Sequence, residues 1–224
     1  MTTAADRRLP RGRHGIPRET VVRAQRDRIL TAMADAMSDS GYVGTSVAVV
    51  IKRAGVSRET FYEQFRSKED CFEAAYEQAV ELLLARIQKS LRLLPVDPGT
   101  AGREPVSASG TAPIAALLDA YLDGLAAEPA HARLFLIEVY AAGPKAIARR
   151  TELQESFISL VARILDARTE SQRFACRTMV AALSALVTTH IAADDLDGLR
   201  SLREPMLELV GRSGDLFGTA AAPR

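Results

Sequence analysis

The chain has 224 residues, of which 47% are hydrophobic, and its formal net charge is +1. This length is sufficient for one large domain or two smaller ones with a real core. No apolar run approaches the length of a membrane span, and the N-terminus lacks the apolar segment of a secretory signal. The two cysteines, Cys71 and Cys176, are far apart without histidines at ligand spacing, which argues against a disulfide framework or a zinc site. We therefore expect a cytoplasmic protein with no metal, no cofactor and no membrane partner.

The charge is distributed unevenly along the chain. Residues 1–68 contain 13 Lys and Arg against 7 Asp and Glu, a net charge of +6, whereas residues 69–224 contain 16 against 21, a net charge of −5. A basic end on an acidic remainder is typical of a nucleic-acid-binding segment attached to a body that does not bind nucleic acid. A chance distribution with a solvated tail is the alternative interpretation.

The first residues predict a disordered basic arm. Residues 1–17 are polar, rich in Pro, Gly and Arg, and lack hydrophobic periodicity. The arginines of this arm could lie against phosphates or reach into a minor groove, or they could belong to a solvated, mobile tail. A first helix is then predicted over 18–40, because Ile29 and Met33 lie on one apolar stripe and Gly41 can end the helix.

The stretch 45–68 predicts two short helices joined by a tight turn. The first begins after Thr45, the predicted N-cap, and has an apolar stripe on one side. Gly55 can adopt the left-handed conformation that ends this helix, and Ser57 can cap a second helix over 58–65. Two short helices around a glycine turn, the second with a polar face, form the helix-turn-helix pattern. In that motif the second helix enters the DNA major groove by its N-terminal end.

The rest of the chain predicts further helices only. A long helix over about 67–94 carries a sustained apolar stripe, and residues 95–110 predict a flexible loop because Pro, Gly, Ser and charge replace the periodicity. No later segment alternates with period two, so we expect an all-α fold whose body has five helices after the long one. Their predicted ranges are about 112–128, 129–143, 144–168, 169–193 and 199–211.

The residues around the glycine turn also carry a recognisable motif. It consists of Ala54-Gly55-Val56-Ser57, followed in register by Thr60, Phe61-Tyr62, Phe65 and Lys68. This pattern resembles the signature of the TetR (tetracycline-repressor-like) family over residues 24–76. The resemblance implies a DNA-binding transcriptional regulator that acts as a repressor and is not an enzyme. It also implies a homodimer on palindromic double-stranded operator DNA, released by an apolar small-molecule effector.

The elements and the resemblance together predict four segments. The first is the disordered basic arm at 1–17, and the second is an N-terminal three-helix, helix-turn-helix DNA-binding domain at 18–68. A C-terminal helical domain for ligand binding and dimerisation follows at 69–213, and a tail is expected at 214–224.

The predicted DNA contacts divide into phosphate contacts and base contacts. The resemblance assigns phosphate contacts to Thr45 or Ser46, Tyr62, Gln64 and Lys68, whose hydroxyl, amide and ammonium groups can donate to phosphate. Base contacts are expected at the start of the second helix, where arginine can bridge two guanine acceptors and glutamate can accept from cytosine. A simple surface ion pair is the alternative for Arg58. The remaining predicted contact residues are Val56, Ser57, Arg58, Glu59 and Thr60.

Aromatic and aliphatic side chains of the body predict an apolar cavity for the effector, although such residues at helical spacing also form ordinary cores. Polar side chains that could orient the effector are His131, Glu138 and His190. The predicted ligand-binding residues are Tyr121, Phe135, Glu138, Val139, Phe157, Ile164, Met179 and Leu183.

The last long apolar segment, 174–191, is apolar around most of its circumference and should be buried on several sides. In TetR-like proteins the last two helices of each subunit form a four-helix dimer interface, and the resemblance implies this role here. An intramolecular core is the alternative. The predicted interface residues are Ala182, Leu186, Met206, Leu209 and Val210.

Two functions from other classes remain open at this point. One is a regulator that senses a protein partner or thiol oxidation, because Cys71 lies near a predicted helix N-terminus, which lowers a thiol pKa; a small packed residue is the alternative. The other is a helical binding module or enzyme whose helix-turn-helix does not recognise DNA. The sequence contains no glycine-rich phosphate loop, no metal-binding histidine pair and no nucleophile elbow, which disfavours an enzyme.

Overall fold

The computed structural model describes residues 17–93 and 111–220, and these residues form helices joined by turns. The fold is all-α, as predicted, and no strand occurs in the described ranges. The predicted basic arm, apart from Pro17, and the predicted loop at 95–110 lie outside the described residues.

Ten α-helices and one 3-10 turn make up the described chain. We call residues 18–68 the head and residues 69–220 the body. The head contains α1 (Arg18–Gly44), α2 (Val47–Ala54) and α3 (Arg58–Gln64), and α4 (Lys68–Arg92) leads into the body. The body continues with α5 (Ala112–Ala127), α6 (Pro129–Leu136), the 3-10 turn (Glu138–Tyr140), α7 (Pro144–Ile164), α8 (Glu170–Ala192), α9 (Leu196–Ser201) and α10 (Arg203–Arg212).

The head packs around aromatic side chains from α3 and its neighbours. Phe61, Phe65 and Phe72 are almost fully buried, and they belong to one hydrophobic cluster with Met33 of α1. Arg26 of α1 places its guanidinium carbon 4.5 Å from the centre of the Phe65 ring. The long α1 therefore braces both helices of the helix-turn-helix motif.

The head and the body share this hydrophobic cluster. Tyr76 of α4, Leu134 of α6 and Val139 of the 3-10 turn are buried in the same cluster as the head residues. Because protein interiors are close-packed, a displacement of one such element is felt by its neighbours. A movement of α6 therefore acts directly on the side chains that pack the head.

A second cluster forms the core of the body around α5. Leu117 and Leu122 of α5 are buried together with Ile87 of α4, Val161 of α7 and Val187 of α8. The apolar stripe of α4 thus contacts the head cluster through its first half and the body cluster through its second. This helix therefore packs against both clusters.

Gly41 interrupts the first helix, as predicted. Its φ of 67° and ψ of 172° are not helical, and α1 resumes beyond this kink as a short helical segment that ends at Gly44. Glu138 binds the backbone just beyond the kink. The helix predicted over 129–143 ends at Leu136, where the 3-10 turn takes over. Arg150 donates to the Phe135 carbonyl at 3.4 Å, close to that end.

The body also has one α-helix more than predicted. The helix expected over 199–211 is two helices, α9 and α10, which meet at Leu202 and Arg203. Pro205 has no N–H to donate, so it cannot continue the hydrogen bonds of α9, but a proline is tolerated in the first turn of a new helix. The helix predicted over 144–168 ends earlier, at Ile164.

The segment expected to be a tail from 214 packs against the body as far as residue 220. Phe217 is 4% exposed, and its carbonyl accepts from the Cys176 thiol at 3.3 Å. The Gln172 side chain donates to the Asp215 carbonyl at 2.9 Å, and Ala220 N–H donates to Leu165 O at 3.2 Å. The segment is thus fixed to the body by hydrogen bonds of its backbone, and Phe217 is part of the body core.

Candidate nucleic-acid interface and effector cavity

The helix-turn-helix motif begins with two hydroxyl residues that have different roles. Ser46 is the N-cap of α2, because its side chain accepts from Val49 N–H at 3.4 Å. Thr45, the predicted cap, is 1% exposed and instead donates from Oγ1 to the Gly41 carbonyl at 2.8 Å. Its hydroxyl therefore faces the kink of α1, so that of the two predicted alternatives for the phosphate contact Ser46 has the accessible hydroxyl. Ser46 is exposed.

The turn between α2 and α3 has the predicted conformation. Gly55 lies in the left-handed region with φ 63° and ψ 40°, and a Cβ added there would have no neighbour within 4 Å. The conformation, not a lack of space, therefore favours glycine. Ser57 then caps α3 by accepting from Thr60 N–H at 3.0 Å, as predicted.

The helix α3 presents a polar face while its apolar face is fixed in the core. Phe61 is fully buried, whereas Arg58, Glu59 and Tyr62 are exposed. The Arg58 guanidinium carbon lies 5.3 Å from the centre of the Tyr62 ring, so the two side chains share one side of the helix. Arg58 and Glu59 occupy the first turn, which is the end that enters the major groove in a helix-turn-helix.

The other predicted DNA-contacting residues surround this face. Ser57 is exposed at the start of α3, and Val56, Thr60, Gln64 and Lys68 are half-buried. The Gln64 side-chain carbonyl has no hydrogen-bond partner among the described residues. Apart from Thr45, the predicted residues thus retain at least a partly accessible side chain.

Lys68 and Tyr42 form a junction between α1 and α4. The Lys68 ammonium donates to the Tyr42 carbonyl at 2.9 Å and lies 4.0 Å from the centre of the Tyr42 ring. The Tyr42 hydroxyl donates to Glu69 at 3.1 Å, and its ring packs edge-on against Phe72. Burial, together with the Glu69 carboxylate, raises the pKa of Tyr42 to about 12. The phenol therefore stays neutral and keeps donating at neutral pH.

Glu138 of the 3-10 turn binds the backbone of the same junction. Its Oε2 accepts from Tyr42 N–H at 2.6 Å, and the bond is buried. A Cβ added to Gly41 would lie 3.4 Å from this oxygen, so the carboxylate closes over the kink. One oxygen of the Glu138 carboxylate is thus bound to the head, and its ligand-binding role stays a prediction.

Arg133 extends this contact towards the end of α8. Its Nε lies 4.0 Å from Glu138 Oε1, and its Nη1 donates to the Ile191 carbonyl at 3.3 Å. A continuous set of polar contacts therefore joins the C-terminal end of α8, α6, the 3-10 turn and the kink of α1.

Most of the predicted ligand-binding residues lie together in the body core. Tyr121 and Phe157 stack with ring centres 5.3 Å apart, and the same cluster contains the buried Ile164, Met179 and Leu183, with Phe135 packed against it. Val139 lies apart from them in the cluster that the head shares. Six of the eight side chains thus surround one region, and Glu138 and Val139 do not.

A cavity of about 90 Å³ lies beside this region, between α4, α5 and α6. Leu83, Gly124 and Phe135 line it, with Arg86 and His131 at its polar side. Both His131 ring nitrogens are buried without a hydrogen bond in the described structure, and Glu128 lies 3.5 Å away. Small-molecule sites usually measure roughly 300–1,000 Å³, so a bound effector must displace part of the wall.

The predicted dimer residues divide between the surface and the core. Ala182, Leu186 and Leu209 are exposed, whereas Met206 and Val210 are buried in the body cluster. Met206 and Val210 pack against their own chain, and the role of all five residues in a dimer stays a prediction. By length and hydropathy α8 could also cross a membrane, but a core helix of a soluble protein has the same composition.

Cys71 is not a reactive thiol in this structure. The residue is fully buried in the first turn of α4, and burial raises its thiol pKa to about 12. The thiolate is the form that oxidants and electrophiles attack, and it is scarce near neutral pH. Burial outweighs the nearby positive charge of Arg26, which acts to lower this pKa.

Tyr42 and Arg133 were not among the residues predicted from the sequence. The polar contacts of Tyr42 join residues 26 and 96 positions apart in the sequence, so no local pattern indicates them. The only sequence signal for this contact was Gly41, because glycine readily adopts the positive φ that directs the Tyr42 N–H towards Glu138.

Comparisons with known proteins agree with this geometry. The family model for bacterial regulatory proteins of the tetR family matches residues 29–75, which span most of α1, all of α2 and α3, and the start of α4. The HTH-type transcriptional regulator EthR of Mycolicibacterium smegmatis is 26% identical over 172 residues, covering 75% of this chain and 67% of EthR.

Solved structures share the fold over most of the chain. The fatty acid degradation regulator FadR from Bacillus halodurans superposes with a TM-score of 0.67 at 19% identity, covering 83% of this chain and 93% of its own. FadR from Bacillus subtilis, solved in complex with stearoyl-CoA, gives 0.64 at 20% identity and covers 82% and 96%. The family model and the helix-turn-helix geometry place residues 29–75 in the tetR family of bacterial regulatory proteins, and the solved structures share the fold over most of the chain.

Proposed function

We propose that this regulator is a cytoplasmic repressor that binds a palindromic operator as a homodimer and leaves it when an apolar small molecule enters the body. The observation that carries the proposal is the exposed first turn of α3, with Arg58 and Glu59 on the surface and Phe61 buried beneath them. This arrangement holds two base-contacting side chain types on a fixed helix.

The chemistry of the head supports both kinds of DNA contact. Arginine can donate two hydrogen bonds to guanine O6 and N7, and glutamate can accept from the cytosine amino group. The N-termini of α2 and α3 offer backbone N–H groups and the hydroxyls of Ser46 and Ser57 to phosphate. Lys68 donates one hydrogen bond to the Tyr42 carbonyl, and its ammonium has two further N–H donors for a phosphate.

The exposed side of α8 supports a homodimer. Phe174 is 68% exposed and Leu186 is 44% exposed, with Ala181, Ala182 and Ala185 exposed between them at helical spacing. Small residues at the centre of such a stripe permit close helix approach. An open groove of about 780 Å³ continues from α8 to Leu209 and Leu216. A two-fold axis through this surface would pair two heads with two half-sites.

The contacts of α6 support a route from effector to DNA. Phe135 lines the cavity and packs against Tyr76 of α4 with ring centres 5.5 Å apart, and α6 leads directly into Glu138, which holds Tyr42. A ligand that enlarges the cavity therefore moves the element that positions the link between α1 and α2. By thermodynamic linkage, operator DNA must weaken effector binding by the same factor.

The base-contacting role is tested by comparing two arginine substitutions of equal charge change. Arg58→Ala should weaken binding to the DNA flanking the gene by roughly 5- to 150-fold, which corresponds to about 1–3 kcal/mol for a bidentate base contact. It should weaken binding to a scrambled duplex much less. Arg163→Ala, on the exposed surface of the body, is the control. Equal effects of the two substitutions would contradict the assigned role of α3.

A further inference from the structure

Arg150 of α7 is a largely buried cation of the body. It is 8% exposed, and three of its N–H groups reach acceptors. Its Nε donates to the Tyr140 hydroxyl at 2.9 Å, Nη1 to the Phe135 carbonyl at 3.4 Å, and Nη2 to the Ser184 hydroxyl at 3.2 Å. All three acceptors are neutral.

The charge of Arg150 therefore lacks a nearby anion. Among the described residues, no Asp or Glu oxygen lies within 4.0 Å of its guanidinium. The adjacent Arg149 differs, because it binds both carboxylate oxygens of Glu77 at 2.6 and 2.8 Å. A buried charge without a counter-ion is costly, and a guanidinium has five N–H groups, so two remain for a further acceptor.

Tyr76 contributes a second unsatisfied group to the same region. Its hydroxyl is buried and has no hydrogen-bond partner in the described structure. Burial raises the pKa of Tyr76, and the charge of Arg150 acts against that rise. Burial likewise raises the pKa of Tyr121 to about 12, again opposed by Arg150. The guanidinium thus lies within electrostatic reach of two protonated phenols.

Phe135 contacts both Arg150 and Tyr76 and also lines the cavity between α4, α5 and α6. Its ring lines the cavity, packs on Tyr76 at 5.5 Å, and lies 5.7 Å from the Arg150 guanidinium carbon. An apolar molecule that entered the cavity and displaced this half-buried ring would meet a cation and a hydroxyl behind it.

We propose that Arg150 and Tyr76 bind the carboxylate of an apolar acid whose hydrocarbon part fills the cavity beside Phe135. A carboxylate can accept two N–H groups from one guanidinium and one O–H from Tyr76. A monoanion matches the single charge of Arg150, since the adjacent Arg149 is already paired with Glu77. This inference rests on the proposed effector response and names the chemical class of the effector.

The test is titration calorimetry of the full chain without DNA, using octanoate and 4-phenylbutyrate and their matched alcohols, 1-octanol and 4-phenyl-1-butanol. The wild type should bind at least one acid ten-fold or more tightly than its alcohol. Arg150→Met should abolish that preference, and Arg150→Lys should restore part of it. Failure of both acids to bind, equal binding of acids and alcohols, or preferential binding of inorganic phosphate would overturn the assignment.

Thermal unfolding separates a binding role from a merely structural one. Because Arg150 is a buried charge without a counter-ion in the described part of the chain, Arg150→Met should unfold, without ligand, at the same temperature as the wild type or a higher one.

Tyr76→Phe tests the second group of the site. It removes only a hydroxyl without a partner, so the variant should fold normally but bind the preferred acid several-fold more weakly. Unchanged acid affinity in a folded Tyr76→Phe protein would overturn the role of Tyr76 in the site.

Binding and operator release are measured separately, so the two proposals fail in different ways. If the acids bind with the expected dependence on Arg150 but leave operator affinity unchanged, the carboxylate site stands and the proposed effector response fails. If operator binding is specific but no acid binds, the regulator stands and the carboxylate site is refuted.

Discussion

At the scale of single residues, the backbone of Tyr42 is the point where head and body meet. Glu138 accepts from its N–H and Lys68 donates to its carbonyl, so side chains from two other elements fix one peptide unit on each side of the residue. A buried N–H left without an acceptor costs about 1–3 kcal/mol. The position of the link between α1 and α2 therefore depends on one carboxylate of the body.

Replacing Glu138 should loosen this link. Glu138→Ala should lower the free energy of unfolding by about 1–3 kcal/mol, accelerate hydrogen exchange at the Tyr42 amide and weaken operator binding. Glu138→Gln keeps an oxygen acceptor and should restore most of the protection. Urea denaturation and amide exchange provide the measurements, with Glu152→Ala on the exposed surface of α7 as the control. Unaltered exchange at Tyr42 in Glu138→Ala would show that the hydrogen bond does not hold the link.

Cys71 should be inert while the protein is folded. Because its thiol pKa is about 12, the proton stays on sulfur at physiological pH and the thiolate forms only at strongly alkaline pH. Iodoacetamide at pH 8 should therefore modify Cys71 in urea but not in the native protein, as peptide mass spectrometry can measure. Cys71→Ser should respond to oxidants as the wild type does. Rapid native alkylation would revive the thiol-sensing alternative.

The roles of some of these residues could be predicted from their neighbours in the sequence, whereas the roles of others depend on contacts with distant residues. The cap at Ser57 and the left-handed Gly55 follow from their immediate neighbours, and both predictions are confirmed. The choice between Thr45 and Ser46 was missed because either hydroxyl can cap a helix. Ser46 is the cap because the Thr45 hydroxyl donates to the Gly41 carbonyl instead. That carbonyl lies at the kink whose following residue is bound by Glu138.

At the scale of elements, hydrophobic periodicity indicated where helices lie better than where they end. The all-α class and the helix-turn-helix followed from stripes and caps within one segment. The split between α9 and α10 depends on Pro205, and the early end of α6 accompanies a contact with Arg150 on α7. Such ends are set by single residues or by partners distant in the sequence, which a periodic pattern does not contain.

The segment after α10 offers a sharp test of its packing. A Cβ on Gly218, where φ is 154°, would lie 1.9 Å from the Leu165 carbonyl oxygen, so Gly218→Ala must displace backbone. We expect a loss of roughly 2–4 kcal/mol in the free energy of unfolding, measured in urea. Gly211→Ala in α10 is the matched control, because its Cβ would have no neighbour within 4 Å and should stabilise the helix by up to about 1 kcal/mol. Similar stabilities for the two variants would contradict a packed C-terminal segment.

At the scale of the whole molecule, the exposed apolar side of α8 requires a partner surface if two heads are to act together. The resemblance to a known family supplied this expectation, but only the fold shows which side chains remain free for it. The helical pattern made Met206 and Val210 plausible interface residues, but their side chains are buried in the core of their own chain. A pattern gives the apolar face of a helix but not which neighbour covers it.

A charge on this surface should separate the dimer without unfolding the chain. Leu186→Glu should raise the dimer dissociation constant at least about ten-fold, since a desolvated anion would lie at the centre of the interface, and sedimentation velocity can measure this. The control is Leu84→Glu, on an exposed position of α4. If both variants sediment like the wild type, α8 does not form the interface.

The central claim is that the head recognises one DNA sequence, and binding across a salt series tests it most directly. The wild type is titrated against the DNA flanking its own gene and against a scrambled duplex of the same length. We predict a strong preference for the native flank. We also predict a slope of log affinity against log salt steeper than about −3.6, the value for four neutralised phosphates, two per head. Weak binding to both duplexes with the same salt dependence would contradict a sequence-specific regulator of its own gene.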